Sequence, residues 1–184
     1  MIRLNKFDKA FYADLISLIE SEEELMQFAG PAFTFPLTDE QLDKSLSDKN
    51  RFAFVIKDEE TNPPVGHAEI YLTEQSALLS RILISDVKQR GKGLGQQIVH
   101  LLLDFTFTNF EQEKAELNVF DWNIAAIKCY EKVGFVINPG QKLERKIKDT
   151  VWTAINMTID KIKWQQSGVN QIKKNLKINR TANE

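Results

Sequence analysis

With one cysteine, two histidines, five prolines and eight glycines in 184 residues, the chain is short of the residue types on which several protein classes depend. A lone Cys129 leaves no intramolecular disulfide framework and no zinc site built on several thiolates. His67 and His100 are too few for a histidine-rich metal centre, so no metal is expected. Long apolar runs are missing as well: Ile98 to Leu103 is among the longest, far below the roughly 18 residues of a membrane span. No basic segment followed by an apolar stretch and a cleavage site opens the chain, which points to a cytoplasmic protein. Neither sign of charge dominates, since 24 basic and 26 acidic side chains leave a formal −2. Nucleic acid and membrane are therefore not expected as partners, and oligomeric state is left open.

The composition is otherwise that of a globular domain. Apolar residues make up 42% of the chain, with twelve Phe and three Trp, enough for one sizeable core and too few residues for two. Ile2 and Leu4 alternate as a strand does, and Phe11, Leu15, Leu18 and Ile19 follow at helical spacing. The run from Phe28 to Leu37 carries one Gly, two Pro and three Phe and reads as a loop with apolar anchors. A second short helix is expected near Leu42 and Leu46. Phe52 to Ile56 and Val65 to Leu72 read as a hairpin around a charged, proline-containing turn, with Ala77 to Ile84 as a third adjacent strand. A long helix follows the glycine cluster, then a strand from Ala115 to Phe120, a helix from Asn123 to Lys132 stopped by Gly134, and two late strands.

Residues 1–160 are thus expected to form one α/β (α+β) domain in the order βααβββαβαββ. Residues 161–184 read as a tail with six basic residues and one acidic, a net +5 that leaves −7 on the rest. Such an end is either a solvated, partly disordered extension or a contact for an anionic partner.

The stretch from Arg81 to Leu103, RILISDVKQRGKGLGQQIVHLLL, holds the clearest chemistry. Glycines at 91, 93 and 95 remove the Cβ atoms that would keep a ligand from the backbone. A helix start behind them offers unpaired N–H groups and a partial positive charge, so the combination suits a phosphate. Spacing excludes two familiar loops. Lys92 is followed by glycine rather than Ser or Thr, against a Walker A loop, and G-x-G-x-x-G fails from Gly91 (Gln96 in the third slot) and from Gly93 (Ile98).

The pattern that fits is [QR]-x-x-G-x-[GA], carried by Arg90-Gly91-Lys92-Gly93-Leu94-Gly95, and with it the chain resembles the GNAT superfamily of acetyl-coenzyme A dependent N-acetyltransferases. A second motif, from Asn123 through Ala126 and Tyr130 to Gly134-Phe135, is similar to that superfamily's N-x-x-A-x-x-x-Y-x-x-x-G-F signature. The resemblance implies a mixed, mostly antiparallel sheet that splays, flanked by helices. It also implies acetyl-CoA as cosubstrate and an amine as acceptor, joined by direct attack in a ternary complex. A catalytically weak coenzyme A sensor on the same fold is the alternative.

By the same resemblance, Arg90, Gly91, Lys92, Gly93, Leu94, Gly95 and Gln96 contact the pyrophosphate. Ile82, Leu83 and Ile84 pair with the pantetheine amides, Asn123 touches the pantetheine arm, and Tyr130 protonates the departing thiolate. Some members place a glutamate where this chain has Asn118, which cannot take a proton, so Glu69 becomes the first candidate base. The other reading of Glu69 is a solvent-facing strand residue, and His67 shares its face. Phe33 and Phe35, with Trp152, form either an apolar wall for the acceptor or simple anchors, while Glu22, Glu23 and Glu24 keep a polyamine site open. Cys129 reads as a small buried hydrophobe and His100 as a structural or surface histidine.

Overall fold

The computed structural model describes residues 1–58, 64–85 and 91–166. Seven strands follow the chain as β1 (Ile2–Lys6), β2 (Arg51–Asp58), β3 (Gly66–Leu72), β4 (Ala77–Ile84), β5 (Lys114–Phe120), β6 (Val136–Ile147) and β7 (Thr150–Asp160). Five helices accompany them: α1 (Tyr12–Ser17), α2 (Glu22–Ala29), α3 (Asp39–Leu46), α4 (Leu94–Asn109) and α5 (Ile124–Val133). The strands form one sheet in the order β1-β2-β3-β4-β5-β7-β6, antiparallel throughout except for β4 and β5. The expected class holds, with one helix more within residues 1–160 than the sequence reading counted.

That extra helix, α2, has a local cause. Ser21 caps it by accepting from Glu24 N at 3.2 Å, while Glu24 Oε2 accepts from Glu20 N at 2.7 Å. Three glutamates in the first turn suit the helix dipole. The acidic cluster therefore belongs to a helix start, and Glu23 is further spent on Lys148 in the β6–β7 turn. In the segment that follows, Gln41 of α3 holds Thr34 through its N and O and Pro36 through its O, which fixes the loop bearing Phe33 and Phe35.

Strand alternation assigns the two faces of the sheet. Phe54, Ile70, Leu79, Ala115, Leu117 and Met157 pack with Ile98, Leu102 and Val133 of α4 and α5 in the main core. Ala53 and Val55 face the other way, into a second cluster with Leu15, Leu25, Phe28 and Leu42 from α1–α3. Residues 161–166 are helical, and Trp164 joins the main core, donating to Asp104 Oδ1 at 3.2 Å and stacking by His100 at 4.9 Å. Burial lowers the pKa of His100, so it is a packed histidine. The expectations for residues 167–184 lie outside the described residues. No helix among the described residues is long and apolar enough to cross a membrane.

Candidate active site in the split between two strands

β4 and β5 pair only at Ala77↔Ala115 and Leu78↔Glu116. Beyond that step the edges from Leu79 to Ile84 and from Leu117 to Phe120 make no ladder with each other, so a gap opens toward their C-terminal ends. Unpaired backbone donors and acceptors on both sides suit an amide-bearing ligand lying between the strands.

A bulge in β4 shapes one wall of the gap. Register runs Glu69↔Ser80 and then His67↔Leu83, so Arg81 and Ile82 stand opposite Ala68 alone. Arg81 has φ +51°, a left-handed conformation that costs a non-glycine residue roughly 1–2 kcal/mol. The extra residue reverses the side-chain alternation. Leu79 points to the main core, but Leu83 joins the α1–α3 cluster while Ile82 and Ile84 pack on the main core. Gly66 backs this wall so closely that a Cβ there would lie 2.5 Å from the Leu83 carbonyl oxygen.

At the open end stands the start of α4. Gly93 caps it at φ +86° and Gly91 takes φ +77°, and a Cβ on either would meet nothing within 4 Å. Backbone conformation, rather than crowding, therefore demands glycine here, and the space above stays free. The first helical bond runs from Gln97 N to Gly93 O, which leaves the N–H groups of Leu94, Gly95 and Gln96 for a ligand. No acidic residue occupies that first turn. Gly95 has a different cause: its Cβ would press Cys129 Sγ at 3.3 Å and meet Ile84 Cδ1 at 3.7 Å. The glycine loop, the end of β4 and the Cys129–Tyr130 turn of α5 thus converge. Arg90 lies outside the described residues.

Tyr130 packs on the main core with Phe135, ring centroids 6.1 Å apart. Burial, reinforced by neighbouring Cys129, pushes its pKa well above that of a free phenol, so the proton stays on at neutral pH. Burial likewise raises the Cys129 thiol, which disfavours a nucleophilic thiolate. Asn123 is the N-cap of α5, its Oδ1 accepting from Ala126 N at 3.3 Å, so the amide nitrogen is the part left for a ligand.

The solvent-facing reading of Glu69 is corrected. It is 2% exposed, not solvent-facing. Arg51 Nη1 donates to Oε2 at 2.6 Å, Arg81 Nη1 reaches both oxygens at 3.0 and 2.9 Å, and His67 Nε2 lies 3.1 Å from Oε1. Burial is the largest influence and would raise its pKa. The His67 hydrogen bond and the charges of Arg81, His67 and Arg51 outweigh it and bring the group to about 2. A carboxylate held that low and fully paired is a poor general base at neutral pH. Because the folded pKa is lowered from 4.5, its stabilisation is complete above that value and is lost as pH falls toward 2. The span amounts to on the order of 3 kcal/mol. Urea unfolding measured from neutral pH down should show Glu69→Gln less stable at neutral pH and with a flatter acid limb than the parent chain.

The sequence reading missed Glu116. It shares the α1–α3 face with Asn118 and takes hydrogen bonds from Ser76 Oγ and, at 3.3 Å, from Asn156 Nδ2. Asn156 also donates to Asn118 Oδ1 at 3.2 Å and accepts from Asn138 Nδ2 at 3.3 Å, a polar strip across β5, β7 and β6. Trp152 stands on this face with Phe120 and Trp122, centroids 5.1–5.7 Å apart. Phe33 is elsewhere, its ring 4.1 Å beneath the Arg81 guanidinium, and Phe35 is 40% exposed.

A sheet split beyond the first two pairs of β4 and β5, with a glycine-capped helix start at its mouth, leaves a slot open to an extended ligand with an anionic end. The chain belongs to the acetyltransferase (GNAT) family, whose model matches residues 18–135. It is 40% identical over 84 residues to an aminoglycoside N(6')-acetyltransferase type 1 of Klebsiella pneumoniae, covering 39% of this chain and 42% of that protein. To a spermidine N(1)-acetyltransferase of Vibrio cholerae it is 30% identical over 111 residues, 59% of this chain and 63% of the relative. The chain thus spans about two-fifths to two-thirds of the length of these relatives. The fold matches that of spermidine N-acetyltransferase from Vibrio cholerae in complex with coenzyme A and spermine, with TM-score 0.74, 24% identity and coverage of 89% and 98%. An aminoglycoside acetyltransferase in complex with coenzyme A and kanamycin gives TM-score 0.72 at 21% identity, covering 90% and 98%.

Proposed function

We propose that the chain transfers an acetyl group from acetyl-CoA to a primary amine by direct attack in a ternary complex. The observation that carries this is the gap between β4 and β5 with free helix N–H groups at its mouth. In this reading Gly91 to Gln96 receive the pyrophosphate, and the backbone of Ile82 to Ile84 pairs with the pantetheine. A strand-end N–H polarises the thioester carbonyl and Tyr130 gives its proton to the departing thiolate. Asn123 donates its amide N–H to the pantetheine arm. Coupled detection of the released thiol against a panel of amines tests the activity. Release that depends on both substrates supports it, and tight coenzyme A binding without turnover over the panel favours the sensor alternative.

With Glu69 committed to arginines, Glu116 is the carboxylate that receives the amine's proton, directly or through water. Glu116→Gln should lower kcat/KM while acetyl-CoA binding persists. The pairing of Glu23 and Glu24 weighs against a polyamine site, and the polar strip with its aromatic neighbours suits an acceptor carrying hydroxyls as well as an amine. Phe33→Ala, Phe35→Ala and Trp152→Ala separate the remaining roles. Loss of acceptor affinity at unchanged thermal stability marks a wall, and loss of stability at unchanged affinity marks an anchor. Because Phe33 lies beneath Arg81, it is expected to behave as the anchor.

A further inference from the structure

Arg81 is the residue that kinks β4, and its own side chain turns back across the kink. Its guanidinium meets Glu69, whose register partner Ser80 immediately precedes the bulge. Ser45 of α3 accepts from the same Nη1 at 2.8 Å, and the Phe33 ring closes the group from below. Arg51 and His67 fill the remaining positions around the carboxylate. A buried charge cluster is an inefficient source of stability, since packed apolar residues of similar volume often serve as well or better. What this one fixes is a direction. With the bulge, Leu83 faces α1–α3 and Ile82 and Ile84 face the main core. Without it the alternation would be inverted, and the opposite set of backbone groups would look into the gap.

We propose that the Glu69–Arg81 pair is a positioning clamp that holds the β4 bulge and so aims the gap-side backbone N–H of Ile84 at the thioester. The proposal rests on the acetyl-transfer reading above. Neither side chain touches substrate. Both act through the main chain, with Ser45 and Phe33 as supports from outside the sheet.

Two readouts on the full-length chain test the clamp. The first follows the amide resonances of Ile82, Leu83 and Ile84 during coenzyme A titration in the parent, Glu69→Gln, Arg81→Lys and Ser45→Ala proteins. The clamp requires that coenzyme A shift these resonances in the parent and that Glu69→Gln and Arg81→Lys lose or redirect the shifts, with Ser45→Ala intermediate. The second readout is steady-state kinetics. A misaimed donor should lower kcat roughly 10- to 100-fold while KM for acetyl-CoA stays within about threefold. The midpoint of the pH profile should not move in Glu69→Gln, because a positioning group does not titrate in the working range. Parent-like kcat and resonance shifts in folded Arg81→Lys and Glu69→Gln would overturn the clamp, as would disappearance of the pH limb in Glu69→Gln. If Glu69→Gln does not fold, the Arg81→Lys and Ser45→Ala proteins carry the same decision. If the parent acetylates no amine, the functional reading falls, and the resonance arm alone still decides whether the pair sets the bulge.

Discussion

Tyr130→Phe is expected to lower kcat by roughly 100-fold or more while leaving acetyl-CoA affinity nearly unchanged. The ring makes the packing contact with Phe135 and the core, and phenylalanine retains it. Only the hydroxyl is lost, and with its pKa raised by burial it stays protonated over the working range. Single-turnover measurements, where chemistry limits the rate, are the proper check. An unchanged rate there would assign Tyr130 to packing alone and require another proton source for the thiolate.

Gly93→Val should abolish stabilisation by acetyl-CoA. In the parent, ligand at about 100 times its dissociation constant adds roughly 2.7 kcal/mol, a rise in Tm on the order of 5–10 °C for a domain of this size. Gly93 is left-handed and its Cβ position is open, so valine strains the cap and fills the approach without disturbing the core. The unliganded protein should lose only about 1–2 kcal/mol. Gly95→Val is a less specific probe, because its side chain would press on Cys129 and Ile84. Thermal scans with and without acetyl-CoA compare the parent and Gly93→Val directly. An equal rise in both would remove the glycine loop from the site.

The sheet, the long helix α4 and the glycine loop were legible because each rests on local pattern. β-rich runs around turn signals mark β2, β3 and β4, helical spacing marks Leu94 to Phe105, and φ above zero at Gly93 and Gly134 calls for glycine. What stayed hidden depends on contacts between distant residues. Glu69 read as a free carboxylate because nothing nearby in sequence shows that Arg51 and Arg81 converge on it. Arg81 gave no sign of its φ, since an arginine is rarely left-handed and its compensation comes from β3 and α3. Helix α2 was the exception. Its Ser21 and Glu24 form a capping pattern that the sequence displays, but the triple glutamate drew attention to charge instead. Trp164 was counted with a polar tail because a single aromatic among lysines has no periodicity, although it closes over α4.

Direct transfer from acetyl-CoA to an amine bound on the opposite face of the same gap is the central claim, and rapid-quench mass spectrometry tests it most directly. Chain, acetyl-CoA and an accepted amine are mixed under single-turnover conditions, and both product and protein are weighed. The account predicts acetyl on the amine nitrogen in step with thiol release and no acetylated protein at any time, Cys129 included. A transient acetyl-protein that precedes the product, or coenzyme A release with no acetylated amine, would contradict it.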